Sequence, residues 1–210
     1  MKMVLFTAAL VVAGLFGSVG NAALLGLNNT GGAGWSVSGT NGAGVGLTTV
    51  TTNNPSWGTL AGASWFSTAL NTATTSSPLG TYSYTTAFSV AAGNLVDLRF
   101  RFLNDNSIKV TIESAEKGIK SLFVGLDNFS GAGTPVTVAQ SDISFTGANT
   151  LRFEVVNLAN LGGPNPVGLN VVFTSQTVDF IPEPASMVLW GGLCGLGLVF
   201  RLRSKKRKVS

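Results

Sequence analysis

Apolar and polar side chains alternate with a period of two along much of the chain. Leu98, Phe100 and Phe102 interleave with Asp97, Arg99 and Arg101. Ile108, Val110 and Ile112 interleave with Lys109, Thr111 and Glu113, and Leu151, Phe153 and Val155 with Arg152 and Glu154. In a strand, successive side chains point to opposite faces, so each run predicts a strand buried on one side. Tyr82–Phe88 alternates less cleanly. Trp35–Ser38, Val45–Thr52, Ser64–Phe66, Lys120–Val124, Asp142–Phe145 and Leu169–Thr174 read as further strands. About nine or ten short strands are expected. Breakers such as Asn53-Asn54-Pro55, Ser77-Pro78-Leu79-Gly80, Asn104-Asp105-Asn106 and Gly162-Gly163-Pro164-Asn165-Pro166 separate them. Only Ala115–Lys120 hints at a helical turn, and the Gly-, Ser- and Asn-rich stretch Gly31–Gly46 reads as a loose segment. The pattern predicts an all-β antiparallel β-sandwich or jelly roll over 23–180, one domain with a two-sheet core.

The alternation gives way to unbroken apolar runs at both ends. Lys2 precedes Met3–Phe16, and small residues follow in Gly17–Ala22. A short positive start, an apolar stretch and small residues at −3 and −1 make a signal peptide of 1–22. Cleavage is placed after Ala22, with Ala23 the neighbouring alternative. At the other end Pro182-Glu183-Pro184 leads into the uncharged run Ala185–Phe200. Arg201, Arg203, Lys205, Lys206, Arg207 and Lys208 follow. As a helix the run spans ~24 Å, short of a hydrocarbon core of ~30 Å. Leu202 and snorkelling arginines extend it, and the basic end stays cytoplasmic. A single C-terminal transmembrane helix with a basic stop is expected over 181–210.

Charge looks different once these ends are set apart. The chain has 13 Lys+Arg and 9 Asp+Glu, a net +4. Seven of the 13 basic residues lie in the two terminal segments, so residues 23–183 keep six against all nine acids, a net −3. With no basic patch to displace counterions, nucleic acid is not an expected partner. The sequence has no His and a single Cys, Cys194. That excludes His-based triads and dyads, His-ligated zinc, an intramolecular disulfide and a CxxC redox pair. No cofactor and no metal are expected.

Pro-Glu-Pro, an apolar span and a basic cluster, in that order and behind an N-terminal signal, resemble the PEP-CTERM sorting signal. Proteins with that tail are substrates of exosortases, membrane cysteine proteases of Gram-negative bacteria that make exopolysaccharide. The resemblance implies export across the inner membrane, transient anchoring by the C-terminal helix and cleavage by an exosortase near Pro182-Glu183-Pro184. The product would reside at the cell surface or in the extracellular matrix. The body is similar to the galactose-binding-like jelly rolls found with such tails. The likeness runs from Trp57 and Trp65 through Gly80-Thr81-Tyr82-Ser83-Tyr84 and Asn104-Asp105-Asn106. It continues in Gly147-Ala148-Asn149-Thr150-Leu151-Arg152-Phe153 and Pro166-Val167-Gly168-Leu169. Arg101-Phe102-Leu103 departs from the small or aromatic residues of that pattern.

Sandwich domains hold sugars with aromatic faces and with amides and carboxylates that bond hydroxyls. Trp35, Trp57 and Trp65 are the candidate platforms; Asp105, Asn106 and Asn128 are the candidate polar groups. Trp57 follows a loop breaker and is expected to be the exposed aromatic, whereas Trp65 and Tyr82 are expected in the core. The triplet around Asp105 reads as an Asx turn rather than a calcium loop. The expected ligand-binding set is Trp57, Trp65, Asp105 and Asn106. No catalytic motif is present: Glu113 and Glu116 sit near a charged turn where solvation explains them. The expected function is a non-catalytic carbohydrate-binding or structural module of the cell surface or exopolysaccharide matrix. The alternatives are a surface carbohydrate-active enzyme and a permanently anchored type I membrane protein.

Overall fold

The computed structural model describes residues 23–39, 48–51, 53–68, 72–158 and 165–180. The expected signal segment 1–22 and the sorting segment 181–210, with its transmembrane run, lie outside the described residues. Among the described residues no helix is long and apolar enough to cross a membrane.

Eleven strands are described: β1 (Ala23–Leu24), β2 (Trp35–Gly39), β3 (Thr48–Thr49), β4 (Phe66–Ser67), β5 (Gly80–Ser89) and β6 (Asn94–Asp105). Then come β7 (Ser107–Ser114), β8 (Gly118–Gly125), β9 (Thr134–Val138), β10 (Ala148–Asn157) and β11 (Gly168–Phe180). One sheet has the order β2-β5-β10-β7-β8. The other has the order β3-β4-β11-β6-β9, with β1 added to β11. The strand pairings among the described residues whose register is resolved are antiparallel. Counted as eight strands from β4 to β11, the sheets run 1-8-3-6 and 2-7-4-5, which is jelly-roll connectivity.

The alternating runs become the inner faces. Tyr82, Tyr84 and Phe88 of β5, Ile108, Val110 and Ile112 of β7, and Leu151, Phe153 and Val155 of β10 are buried from one sheet. Leu98, Phe100 and Phe102 of β6 and Leu169 and Val171 of β11 meet them from the other. Phe153 is the hub: its ring lies 5.4 Å from Phe100, 5.7 Å from Trp35 and 6.2 Å from Phe102. The edge-to-face angles of 68° and 70° to the two β6 rings suit the aromatic quadrupole.

Several strands are longer than the sequence pattern implied, with 12 residues in β6 and 13 in β11. Asp142–Phe145 is not a strand. A 3-10 turn occupies Gln140–Asp142, and the Asn149 amide then bonds both the N–H and the C=O of Ser144, at 2.7 and 2.9 Å. A side chain there replaces a ladder partner. Thr134–Val138 forms a strand despite Pro135, because β9 is the last strand of its sheet and one missing donor is tolerated at an edge. Ala115–Lys117 is a hairpin turn closed by Gly118 at φ 68°, not a helical turn. Of Val45–Thr52, only Thr48–Thr49 is strand among the described residues, and Ser64–Phe66 shifts to Phe66–Ser67.

Candidate functional site

A second apolar cluster lies on the outer face of the six-stranded sheet. Phe102 of β6 and Leu169 and Val171 of β11 point into the main core. Their neighbours Leu103 and Val172 point the other way, to meet Trp57, Leu60 and Trp65. The segment between β3 and β4 therefore folds over the sheet as a cap. Asn54 starts it: its carboxamide oxygen accepts from Ser56 N–H (3.0 Å) and its carbonyl from Trp57 N–H (2.9 Å), an Asx turn around Pro55. Gly58 then donates to the Phe129 carbonyl at 2.7 Å, tying the cap to the loop after β8. The Trp65 indole N–H closes the cap by donating to the Gly58 carbonyl.

Trp57 stacks on Trp65, with centroids 4.1 Å apart and planes at 27°. Gly168 of β11 lies under the pair. A Cβ there would come 2.5 Å from Trp57 Cη2 and 2.9 Å from Trp65 Cε3, so only a glycine lets the backbone approach this closely. The Trp57 indole N–H donates to Asp105 Oδ2 at 2.7 Å. Asp105 ends β6 at the corner where the chain crosses from one sheet to the other.

A cavity of about 420 Å³, open to solvent, sits over this pair. Trp57, Phe129, Leu158 and Pro166 supply apolar wall; Asn54, Ser56, Asp105, Asn106, Asp127 and Asn165 supply polar groups. Among the described residues its lining has two carboxylates and no Lys or Arg. Burial pushes the Asp105 carboxyl up to about 6; the Trp57 hydrogen bond opposes the rise and the negative charge of Asp127 adds to it. The structure thus brings together Trp57, Asp105 and Asn106 of the expected ligand set.

The placement of the candidate residues refines the expectation. Trp57 is not an exposed platform: it is only 7% exposed and presents the part of its indole that lines the cavity. Trp65, at 1%, is the layer beneath it and does not line the cavity. Trp35 is no platform either, since it packs on Phe66 and Phe153 and donates its indole N–H to the Asn28 carbonyl. Asn106 is also structural: its amide donates to Asn157 Oδ1 (3.2 Å), and Asn165 donates to the same oxygen (2.9 Å). Asn157, nearly fully buried, donates in turn to the carbonyls of Ser77 and Pro78. Asn128 pairs its backbone with Asn104 and its amide with Thr134.

Sequence reasoning missed Asn54, Ser56, Asp127, Phe129, Leu158, Asn165 and Pro166. Asn54, Asn165 and Pro166 stood inside clusters read as breakers, which do converge at one end of the sandwich. Nothing in the alternation marks the others. Glu113 and Glu116 are engaged elsewhere. Glu113 pairs with Arg152 at 2.9 Å. Glu116 pairs with Lys117 and accepts from Ser144 and Thr146, contacts that hold its carboxyl down to about 2. Among the described residues no group of three His, Cys, Asp or Glu could hold a metal ion.

No protein-family model matches the chain, and no curated protein matches it. It is similar to solved carbohydrate-binding modules. One is TmCBM61 in complex with β-1,4-galactotriose, 13% identical, covering 69% of this chain and 90% of that one, with a TM-score of 0.44. Another is a family 29 carbohydrate-binding module, 14% identical, covering 79% of this chain and 96% of that one, at 0.35.

Proposed function

We propose that this protein is a non-catalytic carbohydrate-binding module, exported and sorted through its C-terminal Pro-Glu-Pro signal to the cell surface or exopolysaccharide matrix. The observation that carries the binding half is the cavity at one end of the jelly roll. It sets the edge of a fixed indole beside convergent carboxylate, amide and hydroxyl groups. Sugars present the same mixture, with apolar C–H faces ringed by hydroxyls. The Trp57–Trp65 stack and the Asn106–Asn157–Asn165 amide network hold the walls in place before any ligand arrives, which lowers the entropic cost of binding. The sorting half rests on residues 181–210, with an exosortase as the processing partner and the membrane as a transient one.

Affinity electrophoresis of the full chain through gels containing soluble polysaccharides tests the first half. Retardation by at least one polymer is expected, and Leu158→Asp at the exposed rim should remove it. Retardation by none would sink the binding reading. The mass of the mature C-terminus tests the second. Loss of the tail only in cells that contain the exosortase is expected, whereas an intact tail in those cells would identify a permanent anchor.

Asp105 favours one second reading, a carbohydrate-active enzyme. A carboxyl raised to about 6 beside another acid is the arrangement that supplies a general acid in glycoside hydrolysis. Turnover of any glycan that is lost in Asp105→Asn, with binding retained, would establish it.

A further inference from the structure

We infer that the cavity selects neutral and amine-bearing saccharides and rejects uronates. The inference rests on the saccharide reading above and adds the charge class of the ligand.

The electrostatics of the lining carry it. Asp105 stands half-buried at the floor, and its only hydrogen-bond partner among the described residues is the Trp57 indole N–H. Among the described residues no Lys or Arg forms an ion pair with it; the ion pairs there join Asp97 to Arg99, Glu116 to Lys117 and Glu113 to Arg152. The nearest basic residue along β6 is Arg101, whose guanidinium donates to the Ala132 carbonyl and does not line the cavity. Asp127, from the segment after β8, adds a second negative group at the exposed rim.

A carboxylate accepts up to about four hydrogen bonds and donates none. With one site taken by Trp57, Asp105 retains acceptor capacity that a sugar hydroxyl or a free ammonium can fill. A uronate carboxylate offers no donor and brings like charge into a partly desolvated space with no cation to offset it. The amides of Asn54 and Asn165 can bond hydroxyls of either class, so they do not restore the balance.

The test is an oligosaccharide array carrying neutral, free-amine and uronic-acid chains, probed at pH 7.5 with the full chain in detergent micelles. Binding confined to neutral and free-amine chains is expected, with uronates about tenfold weaker or worse. The gap should narrow in Asp127→Asn, a rim change that leaves the fold intact, and narrow further in Asp105→Asn, whose amide oxygen can still accept from Trp57. Uronates bound as tightly as neutral chains would overturn charge selection while leaving the saccharide reading standing. A gap unchanged in both variants would do the same. An array with no bound chain of any class would overturn both.

Discussion

The jelly roll has two apolar clusters that obey different rules. The main core lies between the sheets and is built from alternate residues of long strands, so each side chain has its place by register. The outer cluster of Trp57, Leu60, Trp65 and Leu103 is built mostly from a cap, and only Leu103 comes from a long strand. The first is closed between the two sheets; the second ends in Asp105 and opens to the cavity. Stability therefore rests mainly on one cluster, and the proposed recognition on the other.

The largest effect expected is at the hub of the main core. Phe153→Ala removes a ring in contact with three others and should cost about 3–5 kcal/mol, read by denaturant unfolding. An unchanged midpoint would mean that the two clusters share the load more evenly than described. Next comes Gly168→Ala. The added methyl must push the tryptophan stack off the sheet, at roughly 1–3 kcal/mol. Its signature separates the clusters: altered tryptophan fluorescence and lost saccharide binding, with the main sandwich still folding cooperatively.

Asp105 gives a smaller effect with a defined pH window. Its carboxyl is raised from 3.8 to about 6, so the folded state holds its proton more tightly than the unfolded state. Stability from this group is greatest below about pH 4 and falls as pH rises through 6. Asp105→Asn should remove that slope and stabilise the protein at pH 7 by on the order of 1–2 kcal/mol, the partial exposure of the group limiting the gain. Thermal midpoints at pH 4.5 and 7.5 would show it, and equal differences at both would contradict it. The smallest effect falls back in the main core. The Tyr84 hydroxyl is fully buried and has no hydrogen-bond partner among the described residues, so Tyr84→Phe should be neutral or raise stability by about 1 kcal/mol. A loss would reveal a partner for that hydroxyl.

The same contrast explains what could be read from the sequence. Leu98, Phe100, Phe102 and Leu151, Phe153, Val155 announced their strands and their buried face, because period two is written directly in the residue types. The all-β class followed from those runs and from the turns between them. The cap was harder to read, since its contacts are made by residues such as Trp57 and Leu60 with no repeating spacing. Trp57 lines the cavity, but its surroundings differ from what its local sequence suggests. A tryptophan after Asn-Asn-Pro-Ser suggested exposure, whereas its neighbour in space, Trp65, and a glycine more than a hundred residues away bury it. Asp127 and Phe129 come to the cavity through the backbone tie from Gly58, which no local pattern records.

Strand β11 links the two ends of the domain. At Gly168 it supports the tryptophan pair under the cavity, and 10 residues later, at Val178, it pairs with β1. It is also flanked by β6 within the sheet rather than lying at the sheet edge. A pull between a glycan held in the cavity and the chain leaving at Phe180 would run lengthways along this strand. The load would then fall on many ladder bonds at once, in shear, instead of unzipping them one by one.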